Sequence, residues 1–120
     1  MKTNKKVLIA EDELLIAKVL RMQLEKEGYI VNNVVAESDA VNQSQIFNPD
    51  IIILDVYLKN KSSGIEAGKS IRALGNKSLI IFTTGNSYET TLNSVKSIEN
   101  CIVLTKPVEF SALLRLIRTE

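Results

Sequence analysis

Residues 51–58, IIILDVYL, run four apolar side chains straight into a carboxylate. A short continuous apolar run rich in β-branched residues reads as a strand covered on both faces. A charge at the end of such a strand is costly unless something compensates for it. Asp55 is therefore either a plain loop residue or a carboxylate with a partner, and its surroundings must come from elsewhere in the chain.

Four further apolar runs accompany it: VLIA at 7–10, YIVNNVVA at 29–36, LIIF at 79–82 and CIVL at 101–104. All except the second are continuous rather than alternating, which predicts a parallel sheet buried on both faces. Helix-like stretches fall between and after them, at residues 13–27, 38–47, 64–74, 88–97 and 109–118. Strict alternation of strand and helix predicts an α/β domain. Gly28 stands where a left-handed residue ends the first helix. That helix has an unusually wide apolar face: Ile16, Ala17, Leu20 and Leu24 form one stripe, Leu15, Val19 and Met22 a second. A surface helix needs one, so the second stripe is either further core or a face for a partner helix. Phe110, Leu113, Leu114 and Ile117 in the last helix have core spacing. The fourth helix, rich in Ser, Thr and Asn, is the weakest.

The composition narrows the class. With 120 residues, 45% of them hydrophobic and 24% charged, the chain is expected to form a single domain over residues 1–120, with no output domain within it. Fifteen basic against fourteen acidic side chains give a net charge of +1, which argues against direct binding of nucleic acid. No apolar run nears the ~20 residues of a membrane span, and no signal peptide is evident. The single cysteine, Cys101, lies in an apolar run and reads as a small core residue in a reducing, cytoplasmic setting.

Polar groups follow four of the strands: Glu11 and Asp12, then Asp55, then Thr83 and Thr84, then Lys106. In a parallel sheet all carboxyl ends share one edge, so these residues converge where open α/β folds place their sites. Three close carboxylates repel one another. Lys106 supplies one positive charge, and a divalent cation is the natural remainder. Oxygen ligands suit Mg²⁺, and no His or Cys cluster favours zinc. The absence of histidine excludes His-based triads and makes a carboxylate the candidate nucleophile. Taken singly, each residue also has a plain structural use. Glu11 and Asp12 can cap the first helix, Lys106 can precede a helix that tolerates Pro107 in its first turn, and the threonines can be strand residues.

VLIAEDE, NPDIIILDVYL, GIEAG, LIIFTTGN and VLTKPVE, in this order, resemble the receiver domain of two-component response regulators over essentially the whole chain. The resemblance implies a flavodoxin-like, doubly wound, five-stranded parallel sheet in the order 2-1-3-4-5 with helices on both faces. It implies that Asp55 accepts phosphate and that Glu11, Asp12, Asp55 and the backbone carbonyl of Tyr57 hold Mg²⁺. It assigns Lys106 to the phosphoryl group and Thr84, which precedes Gly85, to the switch hydroxyl. A sensor histidine kinase or histidine phosphotransfer protein is the implied donor, an unidentified protein the target, and the surface of the fourth helix, fifth strand and fifth helix a possible homodimer face. A receiver of this kind is not an enzyme beyond its own phosphorylation and dephosphorylation.

Three features depart from the family pattern. Val103 replaces the aromatic residue common three positions before the lysine, and the loop after Asp55 is about one residue longer than usual. Asn86 occupies a position that influences dephosphorylation rate in the family. A phosphorylation-independent interaction module of the same fold is the alternative reading. An aspartyl-phosphate hydrolase is disfavoured because Tyr57 stands where a second aspartate is expected.

Overall fold

A computed structural model describes residues 4–58, 63–85 and 88–119. Asn86 and residues 59–62 of the loop after Asp55 lie outside the described residues. The chain alternates without exception: β1 (Lys6–Ala10), α1 (Leu14–Lys26), β2 (Ile30–Val34), α2 (Glu37–Ile46), β3 (Ile51–Asp55), α3 (Gly64–Ala73), β4 (Leu79–Thr84), α4 (Tyr88–Ser94), β5 (Cys101–Thr105) and α5 (Phe110–Ile117). The five strands form one sheet in the order β2-β1-β3-β4-β5, and every pairing is parallel.

The continuous apolar runs are explained by the two cores they serve. Side chains alternate across a strand, so Leu8, Ala10, Ile52, Leu54, Ile80 and Phe82 face one side, against Ala40 of α2 and Ala67 and Ile71 of α3. Val7, Ile9, Ile51, Ile53, Leu79 and Ile81 face the other, against Leu24 of α1 and Leu113 and Ile117 of α5. All five residues of β3 are buried. Each large aliphatic side chain buried in this way stabilises the fold by about 1.5–3 kcal/mol before entropy is counted.

The ends of the helices follow their local chemistry. Gly28 adopts φ 98°, a left-handed conformation, as α1 terminates. The Tyr29 amide then bonds back to the Leu24 carbonyl. α4 is shorter than expected, seven residues ending at Ser94, because its Ser, Thr and Asn side chains compete with the helix for backbone bonds. The Ser94 hydroxyl donates to the Thr90 carbonyl in this way.

The wide face of α1 divides differently from the two expected stripes. Ala17 and Leu24 are buried, whereas Leu15, Val19 and Met22 are exposed and Ile16 is 45% exposed. Ile16 belongs to the inner stripe by spacing, but α5 does not close over it. A cleft of about 620 Å³ remains there, with Leu15, Ile16 and Val19 on one wall, Val108 and Phe110 on the other and Ile53 in its floor.

Candidate functional site

At the carboxyl edge of the sheet, the neighbouring strands β1 and β3 deliver two buried acids. Glu11 directly follows β1 and is 6% exposed; Asp55 ends β3 and is 5% exposed. Asp12 is the more open of the three acids. One carboxylate oxygen from each of Glu11, Asp12 and Asp55 lies within 4.8 Å of the others. The first residue after β5 supplies the counter-charge. Lys106 Nζ donates to Asp55 Oδ2 at 2.7 Å and to Glu11 Oε1 at 3.3 Å.

The backbone sets these positions. Lys106 N donates to the Thr84 carbonyl at 2.8 Å, and Val56 N to the Thr83 carbonyl at 2.9 Å, which ties the ends of β3, β4 and β5 together. The Lys106–Pro107 peptide is cis. Glu11 Oε2 also accepts the Glu13 amide at 3.2 Å, just ahead of the first residue of α1. No side chain caps α1, whose N-cap is Glu13, so Glu11 belongs to the acid cluster rather than to the helix start.

Both threonines are buried, Thr83 at 5% and Thr84 at 0% exposed. Thr83 pairs in register with Asp55 and lines the α1–α5 cleft. Thr84 lies one residue nearer the open edge, its side chain on the opposite face of the sheet.

The Tyr57 ring is 64% exposed, so this residue meets the site through its backbone. Tyr57 and Ser63 form an isolated antiparallel bridge, and Gly64 N donates to the Val56 carbonyl at 2.9 Å. In that pattern the flanking residues carry the hydrogen bonds, and the bridged pair turns its own polar groups away from each other. Tyr57 N accordingly donates to Asp55 Oδ1 at 3.1 Å. Ser63, just ahead of α3, is thus a tightly held position.

Ser63 and Gly64 were not singled out as site residues from the sequence, although GIEAG was noted. Ser63 Oγ caps α3 by accepting the amides of Ile65 and Glu66 at 3.1 and 3.4 Å. A methyl group on Gly64 would lie 2.0 Å from the Asp55 carbonyl oxygen, a distance no side chain tolerates. A Ser-Gly pair ahead of an amphipathic helix was the available signal.

The electrostatics of the cluster are those of acids sharing one ammonium. Burial, reinforced by the neighbouring Asp55 carboxylate, pushes Glu11 up to about 7 against the partial relief of the Glu13 amide and Lys106. Burial alone would lower Lys106, but its contacts with Asp55 and Glu11 outweigh this and raise it. One ammonium is too little for three carboxylates. The donors are all oxygen, as Mg²⁺ prefers.

A family model for the response regulator receiver domain matches residues 7–118. The chain is a response regulator receiver domain. It is 39% identical over 69 residues to the alkaline phosphatase synthesis transcriptional regulatory protein PhoP of Bacillus subtilis (strain 168), a match covering 58% of this chain and 28% of that protein. The receiver domain is also similar to solved structures. That of a modulated diguanylate cyclase from Desulfovibrio desulfuricans G20 is 34% identical, with TM-score 0.83, covering 98% of this chain and 93% of that one. The Vibrio cholerae chemotaxis protein CheY4 is 24% identical with TM-score 0.88, covering 98% of each chain, a likeness of fold. Receiver domains are signalling domains. No helix among the described residues is long and apolar enough to cross a membrane.

Proposed function

We propose that this receiver domain works in the cytoplasm and accepts a phosphoryl group on Asp55 from a phosphohistidine of a sensor histidine kinase or histidine phosphotransfer protein. The observation that carries the reading is the buried Asp55 carboxylate, 2.7 Å from the Lys106 ammonium and grouped with Glu11 and Asp12. An Asp55 carboxylate oxygen attacks phosphorus, a P–O bond forms, and the P–N bond breaks with its electron pair returning to the imidazole. Such transfer is largely positioning and charge stabilisation, so no histidine base is required.

Lys106 neutralises the transferring oxygens from one side and keeps Asp55 oriented. Tyr57 N holds the other carboxylate oxygen. Asp12, Asp55 and the Tyr57 carbonyl would hold Mg²⁺, with Glu11 acting directly or through water. The ion, when bound, supplies positive charge against the phosphoryl oxygens. Thr84 is the hydroxyl that moves to the new phosphate, biasing the α4-β5-α5 surface toward a target-binding state and, where a second copy is the target, a homodimer. Val103 is buried in the α2-α3-α4 core in place of an aromatic ring, so the switch works without a swinging aromatic side chain. The exposed α1 stripe, Leu15, Val19 and Met22, is the docking face for the donor.

Incubation with Mg²⁺ and a small phosphodonor or a kinase, followed by mapping of the modified residue, tests the reading. Wild type is expected to be modified at Asp55, and Asp55→Asn to take up no phosphate. Equal uptake by the two proteins would overturn the assignment.

A further inference from the structure

We propose that Gly64, supported by Ser63, is the positioning residue that holds the Asp55–Tyr57 backbone in the geometry a cation needs. The inference rests on the phosphoacceptor reading and goes beyond it to residues outside the acid cluster. α3 begins in direct contact with the main chain of the phosphoacceptor. A Cβ at Gly64 would stand 2.0 Å from the Asp55 carbonyl oxygen, 2.9 Å from its carbonyl carbon and 3.3 Å from Val56 Cα. These are backbone atoms at the end of a fully buried strand, so they cannot step aside as a side-chain tip would. The Gly64 amide meanwhile donates to the Val56 carbonyl.

The same contact governs Tyr57. The Gly64–Val56 bond sets the Tyr57–Ser63 pair so that Tyr57 N reaches Asp55 Oδ1. Ser63 keeps α3 from drifting, because its Oγ closes the first turn through Ile65 and Glu66. A methyl group at Gly64 must therefore part α3 from β3, and the first groups displaced are the Tyr57 amide and carbonyl.

Gly68 provides the control on the same helix. A Cβ there would approach the Phe82 ring at 2.7 and 3.1 Å, a packing clash away from the acids. Two measurements on the intact protein without phosphodonor separate the roles: direct Mg²⁺ titration, and hydrogen exchange of the Tyr57 amide in metal-free buffer. Gly64→Ala is expected to weaken Mg²⁺ binding by about tenfold or more, as loss of a group orienting metal ligands does, and to speed Tyr57 exchange. Gly68→Ala is expected to lower stability while leaving both readings at wild-type values.

If Gly64→Ala does not fold, Ser63→Ala carries the test, with a smaller shift in the same direction that the capping-competent Ser63→Thr restores. Unchanged Mg²⁺ affinity in Gly64→Ala, or equal shifts in Gly64→Ala and Gly68→Ala, would overturn the positioning role. Where Gly64→Ala does not fold, unchanged affinity in Ser63→Ala overturns it. A wild type that binds no Mg²⁺ and takes no phosphate overturns the phosphoacceptor reading itself, an outcome distinct from these.

Discussion

Lys106 Nζ stands 2.7 Å from Asp55 Oδ2 across a separation of 51 residues, and the same ammonium reaches Glu11 Oε1, 95 residues away, at 3.3 Å. One cation thus serves two buried carboxylates from neighbouring strands. Removing either partner of a buried pair leaves an uncompensated charge.

Lys106→Met should consequently lower stability by about 1–3 kcal/mol in metal-free buffer, the lysine's partial exposure reducing the full buried-pair cost. Added Mg²⁺ should return part of that loss, and phosphate uptake at Asp55 should slow. Urea unfolding with and without Mg²⁺ measures both arms.

Glu11 titrates near 7 in the folded chain against an ordinary value of 4.5. Between these values the folded state holds a proton that the unfolded chain has released. Stability must therefore fall as pH rises through this window and level off above it. Urea midpoints between about pH 5 and pH 8 should show this slope, and Glu11→Gln should flatten it. Mg²⁺ affinity should rise over the same window as the proton leaves.

Leu15 and Met22 are 74% and 59% exposed, so charging them removes little packing. Leu15→Asp and Met22→Asp should change stability by no more than about 0.5 kcal/mol. If α1 docks the donor, transfer from the partner kinase should drop at least about tenfold, since a charge is placed in an apolar contact. Phosphorylation by a small donor should stay at the wild-type rate. Equal loss of both would reject the docking face.

At the opposite edge of the sheet, the Arg72 guanidinium donates to four carbonyls, those of Asn76, Ser78, Glu99 and Asn100, at 2.5–3.0 Å. These lie in the segments leading into β4 and β5, so one side chain of α3 anchors both strands at the end away from the acids. Arg72→Ala should destabilise by about 2–3 kcal/mol, a charged donor set being lost. Because the carboxyl edge keeps its own bonds, Mg²⁺ affinity should hold steady; thermal unfolding and metal titration read the two effects separately.

The strand and helix order was legible because buried parallel strands require continuous apolar runs, and VLIA, IIIL, LIIF and CIVL have no other economical use. Polar residues at four matching strand ends made Glu11, Asp12, Asp55 and Lys106 legible as a group. The register that brings the lysine onto two carboxylates was not. α4 proved shorter than its pattern, because side-chain hydroxyls compete locally with the helix. Ile16 proved exposed, since spacing marks a face as apolar without saying whether another helix covers it.

Sequence by itself determined the α/β alternation, the identity of the acids and lysine, and the sheet edge they share, because these depend on local pattern and on the direction of parallel strands. Only tertiary structure decided that Glu11 is a neighbour of Asp55 close enough to rise to about 7 and that the α1–α5 cleft stays open. It also decided that Gly64 lies against the Asp55 carbonyl. Each of these depends on a separation of an ångström or two between elements distant in the chain, and no local periodicity encodes such a distance.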